Sequence, residues 1–405
     1  MINKDRLRER LLELAQIGGN ATDGWTRLAF TKEDKLARGL VKGYMREMGL
    51  KITCDNAGNI IGSYGNPTNS PVIAMGSHID TVPNGGMFDG ALGVISALEV
   101  AQTIIENKLN VNYPLEVIIF ANEEGSRFNN GLTGSRAICG SFSQEELQIE
   151  DNNGISFYQA VQEMDLNPDK VYEARAFENK YKHFLEIHIE QGIELEKEHK
   201  RIGLVNSAAG QVVLKCTIFG RPDHAGAIKM TQRKDALVEA SKLITEIQQI
   251  SLKMGGHFVA TVGKLNVFPN SINTVPGNVE FFIDIRDISS DKLNRGIEVI
   301  SNTISNISGE FSYFLEEVEN ELPAFFSSRL LDLGKEICEK KNYPYKVLSS
   351  GACHDAQVMT TITDSALFFI PSINGLSHCP EENVHWEDVF LGAEFLLEMV
   401  LNASE

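Results

Sequence analysis

Three segments between residues 72 and 121 decide the fold class: Val72-Ile-Ala-Met75, then Gly93-Val-Ile-Ser-Ala-Leu-Glu-Val-Ala-Gln-Thr-Ile-Ile105, then Leu115-Glu-Val-Ile-Ile-Phe-Ala121. The first and third are short apolar runs bounded by turn residues, as expected of buried strands. The middle one is longer and helical, with Leu92, Ile95, Leu98 and Ile105 as packing positions. Strand, helix, strand in this order predicts a mostly parallel sheet covered by helices. A further strand is expected at His183–Ile189 and another at Ser365–Ile370. Helices are expected over most of residues 1–50, broken at Gly18-Gly19, and at Ser328–Lys340 and Glu387–Leu401.

Residues 208–320 follow a different rhythm. Strands are predicted at Val212–Phe219, Phe258–Leu265, Val279–Ile285 and Phe311–Val318, and helices at Lys234–Ile250 and Leu293–Ile307. The first helix carries Leu237, Ala240, Leu243, Ile244, Ile247 and Ile250 on one stripe. The order β-α-β-β-α-β is that of a small ferredoxin-like layer. The expected organisation is an α/β domain of residues 1–207 and 321–405 interrupted by an inserted α+β domain of residues 208–320.

Composition narrows the function. With 37 basic and 55 acidic residues the net charge is −18, which disfavours a nucleic-acid partner. No run of about 18 apolar residues is present, so no membrane span is expected. The start of the chain mixes charge signs and lacks a signal-like apolar stretch. The six cysteines are scattered, without a C-x-x-C pair. Reduced thiols in a cytoplasmic protein are therefore expected.

Histidines and carboxylates cluster where the predicted strands end. Gly76-Ser-His-Ile-Asp-Thr-Val-Pro-Asn-Gly-Gly-Met-Phe-Asp-Gly90 offers His78, Asp80 and Asp89. Two residues apart, Asp80 is placed to support the His78 ring. A carboxylate such as Asp89 can bridge two cations held ~3.5–4 Å apart. Ala121-Asn-Glu-Glu-Gly125 sends two carboxylates, Glu123 and Glu124, out of a very apolar strand. One can bind metal while the other stays free to move a proton. His188 lies inside the third strand, and His378 follows the last. Taken singly, each has a plainer reading: a turn cap, an acidic helix start, a buried structural histidine, a loop histidine. Together, without cysteine, they suit Zn²⁺, Mn²⁺ or Co²⁺ in a catalytic site.

The whole set of motifs resembles the amidase and carbamoylase branch of the M20 metallopeptidase-like family. These motifs are G-S-H-I-D-T, N-G-G-x-x-D-G, E-E-G-S-R-F, H-I-E-Q-G, H-A-G, N-x-x-N-x-V-P-G, D-x-R and H-D-A-Q, and they run from about Thr26 to the C-terminus. The resemblance implies two divalent ions per subunit, with His78 and His188 on one, Glu124 and His378 on the other, and Asp89 between them. It implies that Asp80 orients His78 and that Glu123 is the general base. It further implies that His224 stabilises the oxyanion across a homodimer formed by the inserted, lid-like domain. Asn273, Arg286, Gln191 and Gln211 would bind a small ureido acid. Around Ser350–Gln357 and Pro371–His378 the chain looks most like allantoate amidohydrolases of purine (allantoin) breakdown. N-carbamoyl-L-amino acid hydrolase or β-ureidopropionase is the alternative, and a non-catalytic metal-binding relative the third reading. Two positions depart from the allantoate pattern: Ala227-Ile-Lys-Met230 replaces the family's Thr-Thr-Pro-Met, and Phe88 is more carbamoylase-like.

Overall fold

The computed structural model describes residues 1–66, 71–307 and 309–404. By internal packing the chain divides into two units. The first comprises Met1–Asn206, Phe325–Ser350 and His354–Glu405, and the second Ser207–Ala324 and Gly351–Cys353.

The first unit opens with helices α1 (Lys4–Leu14) and α2 (Lys32–Glu47). Asn3 caps α1 by accepting the Arg6 N–H, and Thr31 caps α2 by accepting that of Asp34. Leu7, Leu11 and Leu14 are buried, whereas Leu12 faces outward. The strands are β1 (Lys51–Cys54), β2 (Ile60–Tyr64), β3 (Val72–His78), β4 (Leu115–Phe120), β5 (Tyr181–Ile189) and β6 (Ile202–Ala208). After the second unit come β11 (Tyr345–Ser350) and β12 (Asp364–Ile370). The sheet runs β6-β12-β5-β3-β4-β2-β1, with β11 beside β6.

Its centre is parallel: β12, β5, β3 and β4 all run the same way. The flanks are antiparallel, β6 against β12 and β2 against both β4 and β1. The sheet is therefore mixed. Every residue of β3 and of β4 is buried, as expected of strands covered on both faces. Helix α3 (Ala91–Asn107) packs on them and is buried around most of its circumference, from Ala91 to Ala101 without interruption. The closing helix Trp386–Ala403 packs against it. Each Leu, Ile or Val so buried contributes about 1.5–3 kcal/mol.

The second unit holds β7 (Gly210–Phe219), β8 (Val259–Phe268), β9 (Asn278–Asp287) and β10 (Ser312–Glu321) in the order β8-β9-β7-β10, all antiparallel. This is the ferredoxin-like order expected. Burial alternates residue by residue along β7 and β9. One face thus forms a core with helices α4 (Ala236–Met254) and α5 (Ser290–Ser305). Of the predicted α4 stripe, Ala240, Leu243 and Ile247 are buried, and Leu237, Ile244 and Ile250 pack partly covered at its edge.

Candidate metal centre

The parallel strands place the site. His78 is the last residue of β3, in register with Phe120 at the end of β4. His188 is the last but one residue of β5, in register with Phe369 of β12. Glu123 and Glu124 follow β4, and His378 follows β12. Their side chains therefore meet beyond the carboxyl ends of one parallel sheet, where α/β folds form their clefts.

Asp89 stands in the middle. Its Oδ1 is 3.1 Å from His188 Nε2 and 3.8 Å from His78 Nε2. Its Oδ2 is 3.1 Å from His378 Nε2, and Glu124 Oε2 lies 3.6 Å from the same nitrogen. The two oxygens thus face two donor groups, His78–Asp89–His188 and Asp89–Glu124–His378, each with its donor atoms within 4.8 Å of one another. Gly90 makes the approach possible. Its φ is +62°, and a Cβ there would lie 2.4 Å from His78 Nε2.

The ring tautomers are set by the backbone. His78 Nδ1 donates to the carbonyl oxygen of Asp80 at 3.0 Å. His188 Nδ1 donates to that of Ile189 at 2.9 Å. Nε2 of each ring is thereby turned toward Asp89 as the nitrogen available to a metal, and the Gly90 N–H also lies 3.1 Å from His188 Nε2. Asp80 differs from the sequence expectation in one respect. Strand β3 ends before it, and it is the carbonyl of Asp80 that holds the ring, with its carboxylate 3.9 Å away. That carboxylate instead accepts the N–H groups of Glu123 (3.3 Å) and Glu124 (3.2 Å), fixing the turn that presents them.

Glu123 belongs to neither donor group. Its Oε2 lies 3.5 Å from His78 Nε2. Burial, then the charges of Asp355, Glu124, Asp80 and Asp89, hold its carboxyl well above the usual range. Burial, Asp89 and Asp80 do the same to Glu124. Burial opposes the charge on Asp89, but hydrogen bonds from His188 and His378 hold it well below the usual range. Burial also opposes charge on His188, yet Asp89 lifts it to about 9, while burial lowers His78 to about 4. Crowded carboxylates, with the buried Glu124 Oε1 lacking a hydrogen-bond partner among the described residues, are the donor set a divalent cation satisfies.

Gln191 joins this group: its Nε2 is 2.9 Å from Asp89 Oδ2 and 3.3 Å from His378 Nε2, and its Oε1 is buried without a hydrogen-bond partner among the described residues. Several neighbours escaped the sequence reading. Glu186 is buried in β5 and accepts the Ser77 hydroxyl at 2.6 Å and the Ala356 N–H at 2.8 Å. His354 packs edge-on to His188, with ring centroids 4.7 Å apart. Glu382 holds the Asp89 turn. Only the spacing of Glu382, four residues after His378, hinted at a role, and an acidic pair in a loop ordinarily reads as solvated.

The remaining predicted residues lie in the second unit. His224 pairs with Thr274 in a short two-stranded ladder, which brings it near Asn273; both are exposed. His224 Nδ1 accepts the N–H groups of Gly226 (3.0 Å) and Ala227 (3.2 Å), so its Nε2 carries the proton. Gln211 and Arg286 face each other across β7 and β9. Asp284 binds both, taking Arg286 Nε at 2.8 Å and Nη2 at 2.9 Å, and Gln211 Nε2 at 2.8 Å. The Arg286 guanidinium, expected to bind substrate, is thus paired with Asp284 in this structure.

A profile described as Peptidase family M20/M25/M40 matches residues 74–402. The chain belongs to that family. It is 38% identical over 408 residues to the N-carbamoyl-L-amino acid amidohydrolase of Geobacillus stearothermophilus, covering 100% of both chains. It is 33% identical to the allantoate amidohydrolase of Bacillus subtilis (strain 168), covering 98% of this chain and 97% of that one. The crystal structure of AtUAH in complex with glyoxylate superposes with a TM-score of 0.94 at 31% identity, over 100% of this chain and 98% of the other. These likenesses place the chain in the amidase and carbamoylase branch, whose members cleave carbamoyl and ureido C–N bonds. Among the described residues no helix is long and apolar enough to cross a membrane.

Proposed function

We propose that the chain is an N-carbamoyl-L-amino acid hydrolase working with two divalent cations. The observation that carries the chemistry is Asp89, with one oxygen facing His78 and His188 and the other facing His378 and Glu124, beside a part-buried Glu123 that belongs to neither donor group. His78, His188 and Asp89 would hold one ion, and Asp89, Glu124 and His378 the other. Mn²⁺, Zn²⁺ and Co²⁺ all suit these donors. Bound there, such ions supply Lewis acidity, polarising the carbamoyl group and acidifying water. Glu123 takes the proton of the attacking water and returns it to the leaving nitrogen. The N–H at Nε2 of His224 donates to the oxyanion that develops at the carbamoyl carbon. Arg286, steered by Asp284, with Asn273, Gln211 and Gln191, binds the carboxylate and the ureido arm. Cleavage releases the amino acid, and the remaining carbamate falls to ammonia and carbon dioxide.

Full-length identity of 38% to a carbamoylase against 33% to an allantoate amidohydrolase supports this substrate over allantoate, the sequence's first expectation. Allantoate is the second reading, favoured by the Pro371–His378 and Ser350–Gln357 segments. The protein acts as a homodimer through its inserted unit, a reading supported by the open edge of β8, which exposes Val259, Leu265 and Phe268. The test is ammonia release by protein stripped of metal and reloaded with Mn²⁺ or Zn²⁺, on N-carbamoyl-L-amino acids beside allantoate. Preference for the former supports the proposal, preference for allantoate replaces the substrate but keeps the chemistry, and turnover of neither refutes both.

A further inference from the structure

We propose that Glu382 is a positioning residue of this centre, clamping the turn that carries Asp89 to the loop that carries His378. The inference rests on the reading that these residues bind cations. Glu382 is buried, although it belongs to a loop. Its Oε1 accepts two successive backbone N–H groups, those of Phe88 (2.9 Å) and Asp89 (3.1 Å). Its Oε2 accepts the hydroxyl of Ser377 at 2.7 Å. The Ser377 oxygen in turn lies 3.1 Å from Asp89 Oδ2. One carboxylate therefore grips the residue before Asp89, Asp89 itself, and the residue before His378. Three donors on two chain segments thus converge on the two oxygens of this one side chain. With both oxygens so engaged, Glu382 serves as a brace and not as a ligand.

Gly86 is shaped to this clamp. A Cβ at that position would lie 1.9 Å from Glu382 Oε1 and 2.5 Å from Glu382 Cβ. Any side chain there would drive the carboxylate off the Phe88 and Asp89 amides. The glycine four residues before Gly90 is thus explained by Glu382, as Gly90 is explained by His78.

The consequence is geometric. Asp89 and His378 share one donor group, but their chain segments are almost three hundred residues apart. Nothing in local chain geometry fixes their separation, and the Glu382 carboxylate supplies that constraint. Loss of such an outer partner typically weakens metal binding 10- to 100-fold.

The experiment is calorimetric titration of the metal-stripped full chain with Mn²⁺, with bound metal counted by mass spectrometry and folding followed by thermal melting. Glu382→Ala should weaken one of two binding events 10- to 100-fold while leaving a cooperative melt. Glu382→Gln keeps an acceptor oxygen for the two amides and should restore most of the affinity. Gly86→Ala should mimic Glu382→Ala, and the double variant should be no worse than either alone, since both changes break one clamp. A purely structural role would lower the melting point without this rescue and without this non-additivity. Wild-type affinity for both ions in Glu382→Ala overturns the proposal. If that variant does not fold, unchanged affinities in Gly86→Ala and Ser377→Ala overturn it instead. A wild-type chain that takes up no ion would sink the underlying reading, a distinguishable result.

Discussion

Replacing Glu123 by glutamine isolates the proton-transfer step. The amide keeps the size and shape of the side chain but cannot accept a proton at neutral pH. Glu123 lies outside both donor groups and touches the centre only through Oε2, 3.5 Å from His78 Nε2. Metal content should therefore be unchanged. A general base in such a position typically contributes 10²–10⁴-fold, which at 1.36 kcal/mol per decade is about 2.7–5.4 kcal/mol of barrier. The loss should fall on kcat, with KM nearly unaltered, because the residue acts mainly in the transition state. The assay is the initial rate of amino acid release from an N-carbamoyl-L-amino acid, with bound metal counted on the same preparation. Activity within tenfold of wild type at full metal content would refute the assignment. Loss of one metal with the activity would make Glu123 a ligand and leave the base unassigned.

Three further outcomes are expected. His224→Ala should lower kcat by the ~2.7–4 kcal/mol of a lost oxyanion donor while leaving metal content and melting temperature alone; a change confined to melting would count against it. Arg286→Ala should raise KM for substrates bearing a carboxylate, and the same KM for a carboxylate-free ureide as for the acid would remove Arg286 from recognition. Metal-free protein should lose stability as pH rises from about 6.5 toward about 9. His188 is raised from 6.5 to about 9, so on that ring the folded state binds more protons than the unfolded one over this range, and the upward shifts that burial and neighbouring carboxylates give Glu123 and Glu124 act in the same direction. Stability then falls with pH, and bound cations, which replace those protons, should flatten the trend; parallel melting curves with and without metal would contradict this.

Much of this was legible in the sequence. The runs at 72–75, 115–121 and 183–189 are apolar because both faces of a central strand are covered, so they stand out by composition alone. The α4 stripe and the period-2 strands of the second unit were readable for the opposite reason, since only one of their faces is buried. Strands β1, β2, β6 and β11 were not read. Strands β1, β2 and β11 lie toward the sheet flanks, where shorter and less uniformly buried segments lose the apolar signal, whereas β6 is seven residues long and mostly buried but its apolar run is interrupted by Asn206 and Ser207. For the same reason a sheet expected to be mostly parallel is mixed.

The site divides along a similar line. Histidines and carboxylates that end central strands could be found because strand direction fixes where they point. What holds them was less legible, because the partners are backbone groups: Asp80 was singled out for its spacing from His78 and not for the amides it accepts, and Glu382 was not singled out at all. Asp80 accepts the amides of Glu123 and Glu124, and Glu382 those of Phe88 and Asp89. Such bonds leave no pairing of residue types to detect. The two aspartates of the G-S-H-I-D and F-D-G motifs look equivalent in sequence, yet one braces the Glu123-Glu124 turn while the other sits between the histidines. Each carboxylate that faces the centre is thus placed by a second carboxylate anchored on main-chain amides. Burial and mutual repulsion disfavour charge on Glu123 and Glu124, amide hydrogen bonds to Asp80 and Glu382 offset part of that cost, and a cation bound between the donors would offset the rest.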